Sequence, residues 1–203
     1  MFRSNRQLER LPGPGLVGLI ALILVVLGLA AMGEPARAAL RYERSGLADG
    51  DWWRLIGAHL VHLGWRHALL DLTGVALAGW LFGRLYGPLR WLWIVMLSAA
   101  AVDAGLWWLT PGLEWYVGLS GVLHGVVIAA GVALARMGER GGWLLLAAIA
   151  LKLGVEQWLG PLWLTAATAG GPVVVDAHLY GACGGLLAAL APGPRGVTAI
   201  MSR

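Results

Sequence analysis

Charge is scarce in this chain. Of 203 residues only 13% are Asp, Glu, Lys or Arg, 59% are hydrophobic, and mean hydropathy is +0.72. Soluble globular chains carry about 25% charged and 45–50% apolar residues, so a free-standing soluble domain is excluded and a membrane protein is indicated. Cysteine is nearly absent too. Cys183, alone in an apolar stretch, has no intrachain disulfide partner, and no CxxC pair offers a metal or redox site. The HExxH pattern of an intramembrane zinc protease is also missing. The net charge of +4 and pI near 9.8 come from arginines scattered between apolar runs instead of gathered in a stripe. That distribution points to orientation in a lipid bilayer and away from nucleic acid. Nothing in the sequence calls for a metal or another cofactor.

What the chain has in abundance is apolar length. A membrane span needs about 20 mostly apolar residues. Read by apolar length and by Gly and Pro punctuation, the sequence predicts six spans, at about 14–33, 64–83, 89–109, 117–136, 142–159 and 174–191. The expected fold class is all-α: one polytopic six-helix membrane domain over 1–203, with an outer loop at 34–63. The basic start (Arg3, Arg6, Arg10) and the triplet Ala36-Arg37-Ala38 resemble a cleavable signal peptide, but the apolar stretch between them is long for one. It is read as a retained span. The N-terminus, the turns at 83–90 and 136–141 and the C-terminal tail carry nine arginines against Glu9 and Glu139, whereas segment 34–63 balances four arginines with four acids. The excess of positive charge places both termini in the cytoplasm.

This orientation sets the depth of the polar residues. His67 and Asp71 early in span two, Ser120 and His124 early in span four, and His178 early in span six all fall near the outer face. Polar groups inside a span are costly and face the bundle interior or a water-filled cavity. Serine is a weak nucleophile without a base to take its proton, and His178 lies at a matching depth to Ser120. Gly121 and Gly125 form one GxxxG ridge and Gly181 and Gly185 another, allowing spans four and six to approach closely. A helix N-terminus at Gly118-Leu119-Ser120-Gly121 would offer backbone donors to an oxyanion. His67, one helical turn from Asp71, could add a donor, whereas an ionised Asp71 could not. His124 is a second base, a proton carrier or a wall of the cavity, with the wall favoured. His59 and His62 read as interfacial residues. Lys152 and Glu156 pair along one helix, with Asp103 within reach of Lys152 between helices. Segment 34–63, with Asp51-Trp52-Trp53-Arg54, reads as an amphipathic loop lying partly in the membrane and bordering the cavity.

The ordered set Trp53-Arg54, His67-x-x-x-Asp71, Gly118-Leu119-Ser120-Gly121 and Ala177-His178-x-x-Gly181 resembles the rhomboid intramembrane serine proteases over nearly the whole chain. The resemblance implies a compact six-span core and a Ser–His dyad, with Ser120 as nucleophile and His178 as base. Two positions depart from the family pattern. Asp71 stands where Asn is common, so it is protonated, turned away or differently employed; His124 stands where many members stack an aromatic on the catalytic histidine. The short length and the GLSGVLHG wording look most like the rhombosortase branch. That likeness implies a bacterial inner-membrane enzyme and a transmembrane protein substrate with a C-terminal Gly-Gly-containing anchor. The rival readings are an inactive rhomboid-like binder of membrane proteins and a small proton-coupled transporter built on the buried charges.

Overall fold

The computed structural model describes residues 13–161, 167 and 169–192; the N-terminal arginines Arg3, Arg6 and Arg10 and the tail arginines Arg195 and Arg203 lie outside them. Apolar length dictates the long helices, and glycine or proline ends them. Helix α1 (Gly13–Met32) stops at Gly33, whose φ of 65° is readily adopted only by glycine. After the outer segment come α5 (Trp65–Phe82), α6 (Pro88–Trp108), α7 (Ser120–Arg136), α8 (Arg140–Leu159) and α9 (Val175–Leu190). Pro88 opens α6, where its missing N–H costs nothing. Each helix overlaps an expected apolar stretch to within a few residues. The shift that matters is at 117–119, which form a loop and leave Ser120 as the first residue of α7.

Among the described residues, α1, α6 and α8 are long and apolar enough to cross a membrane, and α7 and α9 are shorter apolar helices. The two kinds differ in surroundings. Only 6% of the apolar window of α1 and 17% of that of α8 is buried, so their leucines and tryptophans point outward as lipid-facing side chains do. Helices α7 and α9 sit at the centre, against α6. Val26 on α1 packs against Ala68 and Leu72 on α5, which ties the first helix to the bundle.

The centre is glycine against glycine. A Cβ on Gly181 would overlap the carbonyl of Gly121, one on Gly185 that of Gly125, and one on Gly125 the hydroxyl of Ser98 on α6. Such contact between backbones is available only where no side chain intervenes. At the other end of the bundle, two arginines hold the last carbonyls of α9. Arg90 Nη2 donates to Ala188 O (2.5 Å) and Ala191 O (2.8 Å), and Arg136 Nη1 donates to Ala189 O (2.8 Å). These cations meet the negative end of the helix dipole and satisfy carbonyls that lack partners within the helix. Arg90→Met is expected to lower stability by about 2 kcal/mol, the order of a charged hydrogen-bond set. A thermal melt in detergent checks it; an unchanged midpoint would contradict this role.

The outer segment is less of a loop than its composition implies. It contains α2 (Glu34–Leu40), β1 (Tyr42–Glu43), α3 (Arg44–Ala48) and α4 (Arg54–Gly57). Strand β1 pairs antiparallel with β2 (Trp115–Tyr116), Tyr42 opposite Tyr116, joining the segment to the approach to α7. The Arg44 guanidinium donates to the carbonyls of Leu106, Trp107, Thr110 and Leu113, holding the end of α6. Trp52 and Trp53 remain exposed, as residues of an interfacial aromatic belt are.

Candidate active site

Ser120 begins α7, so its backbone N–H has no acceptor in its own helix. Its Oγ lies 3.0 Å from Nε2 of His178, which sits one turn into α9 and is 1% exposed. The glycine contacts between α7 and α9 set this distance. The pair lies beside a cavity of about 190 Å³, whose lining includes Leu63, His67, Tyr116, Val117, Ser120 and Val174. Of the residues expected to line it as a group, only His67 joins Ser120 there. Asp71, Gly118, Leu119, Gly121 and His124 are not among the residues that line it.

Asp71 is turned to the backbone. It is buried, and Oδ2 accepts the Leu119 N–H at 2.9 Å and lies 3.1 Å from His62 Nε2. It therefore fixes the backbone just ahead of Ser120. His67 Nδ1 is 3.4 Å from the Leu63 N–H, which directs its Nε2–H towards Asp71 Oδ2, 3.6 Å away. The loop is further held by Gly118 N–H to Ala58 O (2.9 Å) and by Tyr116 Oη–H to Gly118 O (2.8 Å). Burial, reinforced by the Asp71 and Asp103 carboxylates, pushes the Tyr116 phenol far above its ordinary pKa, so it stays a donor. Gly118 has φ 121°, and a Cβ there would press on the His67 ring at 2.8 Å, so both strain and space select glycine.

Asp71→Ala, which leaves the Leu119 N–H without its acceptor, is expected to slow labelling of Ser120 by a fluorophosphonate about 10- to 100-fold, the range for small misplacements of a reacting group. Asp71→Asn, keeping an acceptor oxygen, should recover most of it. Equal rates for Ala and parent would show that the carboxyl does not position the loop.

His59 and His62, read from the sequence as interfacial, are both buried within the protein. Asp103 does not reach Lys152; it stands 3.3 Å from His59, without hydrogen-bond geometry. Lys152 and Glu156 do pair, at 2.7 Å, and they extend into the site. Glu156 Oε2 lies 2.9 Å from Nδ1 of His178, and Lys152 Nζ lies 2.9 Å from Nε2 of His124. His124 Nδ1 reaches the Ser120 carbonyl at 2.7 Å, and its ring stacks on that of His178 with centroids 4.2 Å apart and planes 15° apart. Each proton position follows. A carbonyl only accepts, so His124 carries its proton on Nδ1, and its bare Nε2 accepts from Lys152. Both nitrogens of His124 are thus engaged, and its ring packs on His178 without lining the cavity.

Glu156 escapes sequence reasoning because an i, i+4 lysine explains it locally; its depth, matching that of Ser120 and His178, is the signal that could have found it. His124, Glu156 and His178 bring ligand atoms within 4.8 Å of one another, a spacing a metal ion could use. The Lys152 ammonium, bonded to two of those three side chains, already supplies the positive charge there, so the residues present do not favour a metal.

A Rhomboid domain model matches residues 49–195. The chain belongs to the rhomboid family. It is also similar to a protein of Bacillus subtilis (strain 168) named "Putative rhomboid protease YdcA", 32% identical over 81 residues, which is 40% of this chain and 41% of that protein. The family and the apolar helices together make it a multi-pass membrane protein.

Proposed function

We propose that the protein is an intramembrane serine endopeptidase with Ser120 as nucleophile and His178 as base. The observation that carries this reading is the 3.0 Å contact between Ser120 Oγ and His178 Nε2 beside a cavity, at the start of a helix. Oγ attacks a substrate carbonyl and its proton passes to Nε2. The Ser120 N–H and the start of α7 face the oxyanion, with His67 on the cavity wall. As the tetrahedral adduct collapses, the C–N bond breaks and Nε2 returns the proton to the leaving amine. Water then hydrolyses the acyl-enzyme by the same exchange in reverse.

The site lies near the outer face of the bacterial inner membrane, in a single six-span domain with both termini cytoplasmic. Arg84, Arg90, Arg136 and Arg140, at the bundle end away from Ser120, support that orientation. The substrate is a membrane-anchored protein whose segment must unwind, because a helix keeps its carbonyls in internal hydrogen bonds. Glycine eases unwinding, and a cavity of about 190 Å³ suits small residues. A C-terminal Gly-Gly-containing anchor, the substrate class of the rhombosortase branch, meets both demands. The GLSGVLHG sequence is the other support for that branch.

Two reporters with the same anchor, one keeping Gly-Gly and one carrying Leu-Leu, test the substrate reading with purified protein in liposomes. Release of the first should exceed that of the second by about 100-fold or more, the scale on which a closed pocket rejects a side chain. Equal release would remove the Gly-Gly assignment and leave the protease reading standing.

A further inference from the structure

We propose that Glu156 is a positioning residue that turns the Ser120–His178 pair into a Ser–His–Glu triad, with Lys152 fixing its charge and orientation. The inference rests on the protease reading above and deepens it. Glu156 is 1% exposed, and each carboxylate oxygen has its own partner: Oε2 the Nδ1 of His178 at 2.9 Å, Oε1 the ammonium of Lys152 at 2.7 Å. An ionised carboxylate only accepts, so the His178 proton stands on Nδ1 and Nε2 is left bare towards Ser120. That is the tautomer a general base requires, and the one such a carboxylate enforces in serine hydrolases of unrelated fold.

The helix that carries Glu156 makes a purely structural role a poor account. Most of α8 faces outward; its buried residues are Gly142, Leu153 and Glu156. A carboxylate sent inward from such a helix is costly inside a membrane. An ion pair with Lys152, the only lysine in the chain, needs just one of its oxygens. The other is spent on the face of His178 remote from Ser120. When Oγ attacks, the imidazole becomes an imidazolium, its new proton on Nε2 and its original one still on Nδ1. The carboxylate stabilises that cation without taking the proton. Lys152 also donates to His124, whose ring stacks on His178. One ammonium therefore braces the base through its edge and through its face.

Glu156→Gln is the direct test, in the full chain reconstituted in liposomes with the anchored Gly-Gly reporter and a fluorophosphonate probe. The expected result is a loss of about 10²- to 10⁴-fold in kcat with KM little changed, and a parallel fall in the rate of Ser120 labelling. Glu156→Asp should regain a large part of the loss. If Glu156→Gln cleaves at the parent rate while Ser120→Ala and His178→Ala are dead, the triad fails and the dyad stands. If Ser120→Ala or His178→Ala also cleaves, the underlying protease reading fails. Should Glu156→Gln not fold, the parent protein decides the question by proton NMR with labelled histidine. A strongly downfield Nδ1–H resonance from His178, retained in Ser120→Ala, supports the triad, and its absence overturns it.

Discussion

Ser120→Ala is expected to release the anchored reporter at no more than background rate, a loss on the order of 10⁵- to 10⁶-fold in kcat, with His178→Ala as damaging. The magnitude follows from the chemistry being one event: attack by Oγ and transfer of its proton to Nε2 across 3.0 Å. Removing either partner removes both, so the double variant should be no worse than the singles. Additive losses would mean that the two residues act independently. Ser120→Ala removes one hydroxyl and leaves the glycine contact between α7 and α9 intact, so its thermal midpoint is expected near the parent's and separates chemistry from unfolding. His178→Ala empties a buried position and takes its partner from Glu156 Oε2, so its midpoint is expected to fall.

The second large effect concerns that glycine contact. Gly181→Leu is expected to destabilise the protein by more than about 4 kcal/mol, the range reserved for drastic overpacking, and to prevent accumulation in the membrane. Even a Cβ at Gly181 has nowhere to go, because the Gly121 carbonyl occupies the space. The same change at Gly154 on α8, where nothing lies within 4 Å of the added atom, should be nearly neutral. Expression level and thermal midpoint of the two variants check the contrast. Comparable behaviour would contradict the close approach of α7 and α9 on which the Ser120–His178 distance depends.

The positions of the long helices are largely legible in the sequence because long apolar runs mark them and glycine or proline marks their ends. The partnership of Ser120 and His178 was legible too, as matching depth on two helices with facing GxxxG ridges. What escaped were features set by helix rotation and by loop paths. Glu156 has a complete local explanation in Lys152, and only the rotation of α8 against α9 turns its second oxygen to His178. The sequence leaves Asp71 protonated, turned away or differently employed, and only the path of residues 117–119, which form a loop ahead of α7, brings the Leu119 N–H onto its carboxylate. His59 and His62 lie in a segment that composition reads as a surface loop, and their burial is set by its tertiary path. His124 kept several roles open until its two nitrogens found Ser120 O and Lys152.

The most direct measurement of the central claim is the mass of the protein after treatment with a fluorophosphonate, followed by peptide mapping. One adduct on Ser120 in the parent, and none in His178→Ala at the same probe concentration, is the predicted result. An unlabelled parent that still cleaves the reporter, or an adduct that forms as fast without His178, would contradict it.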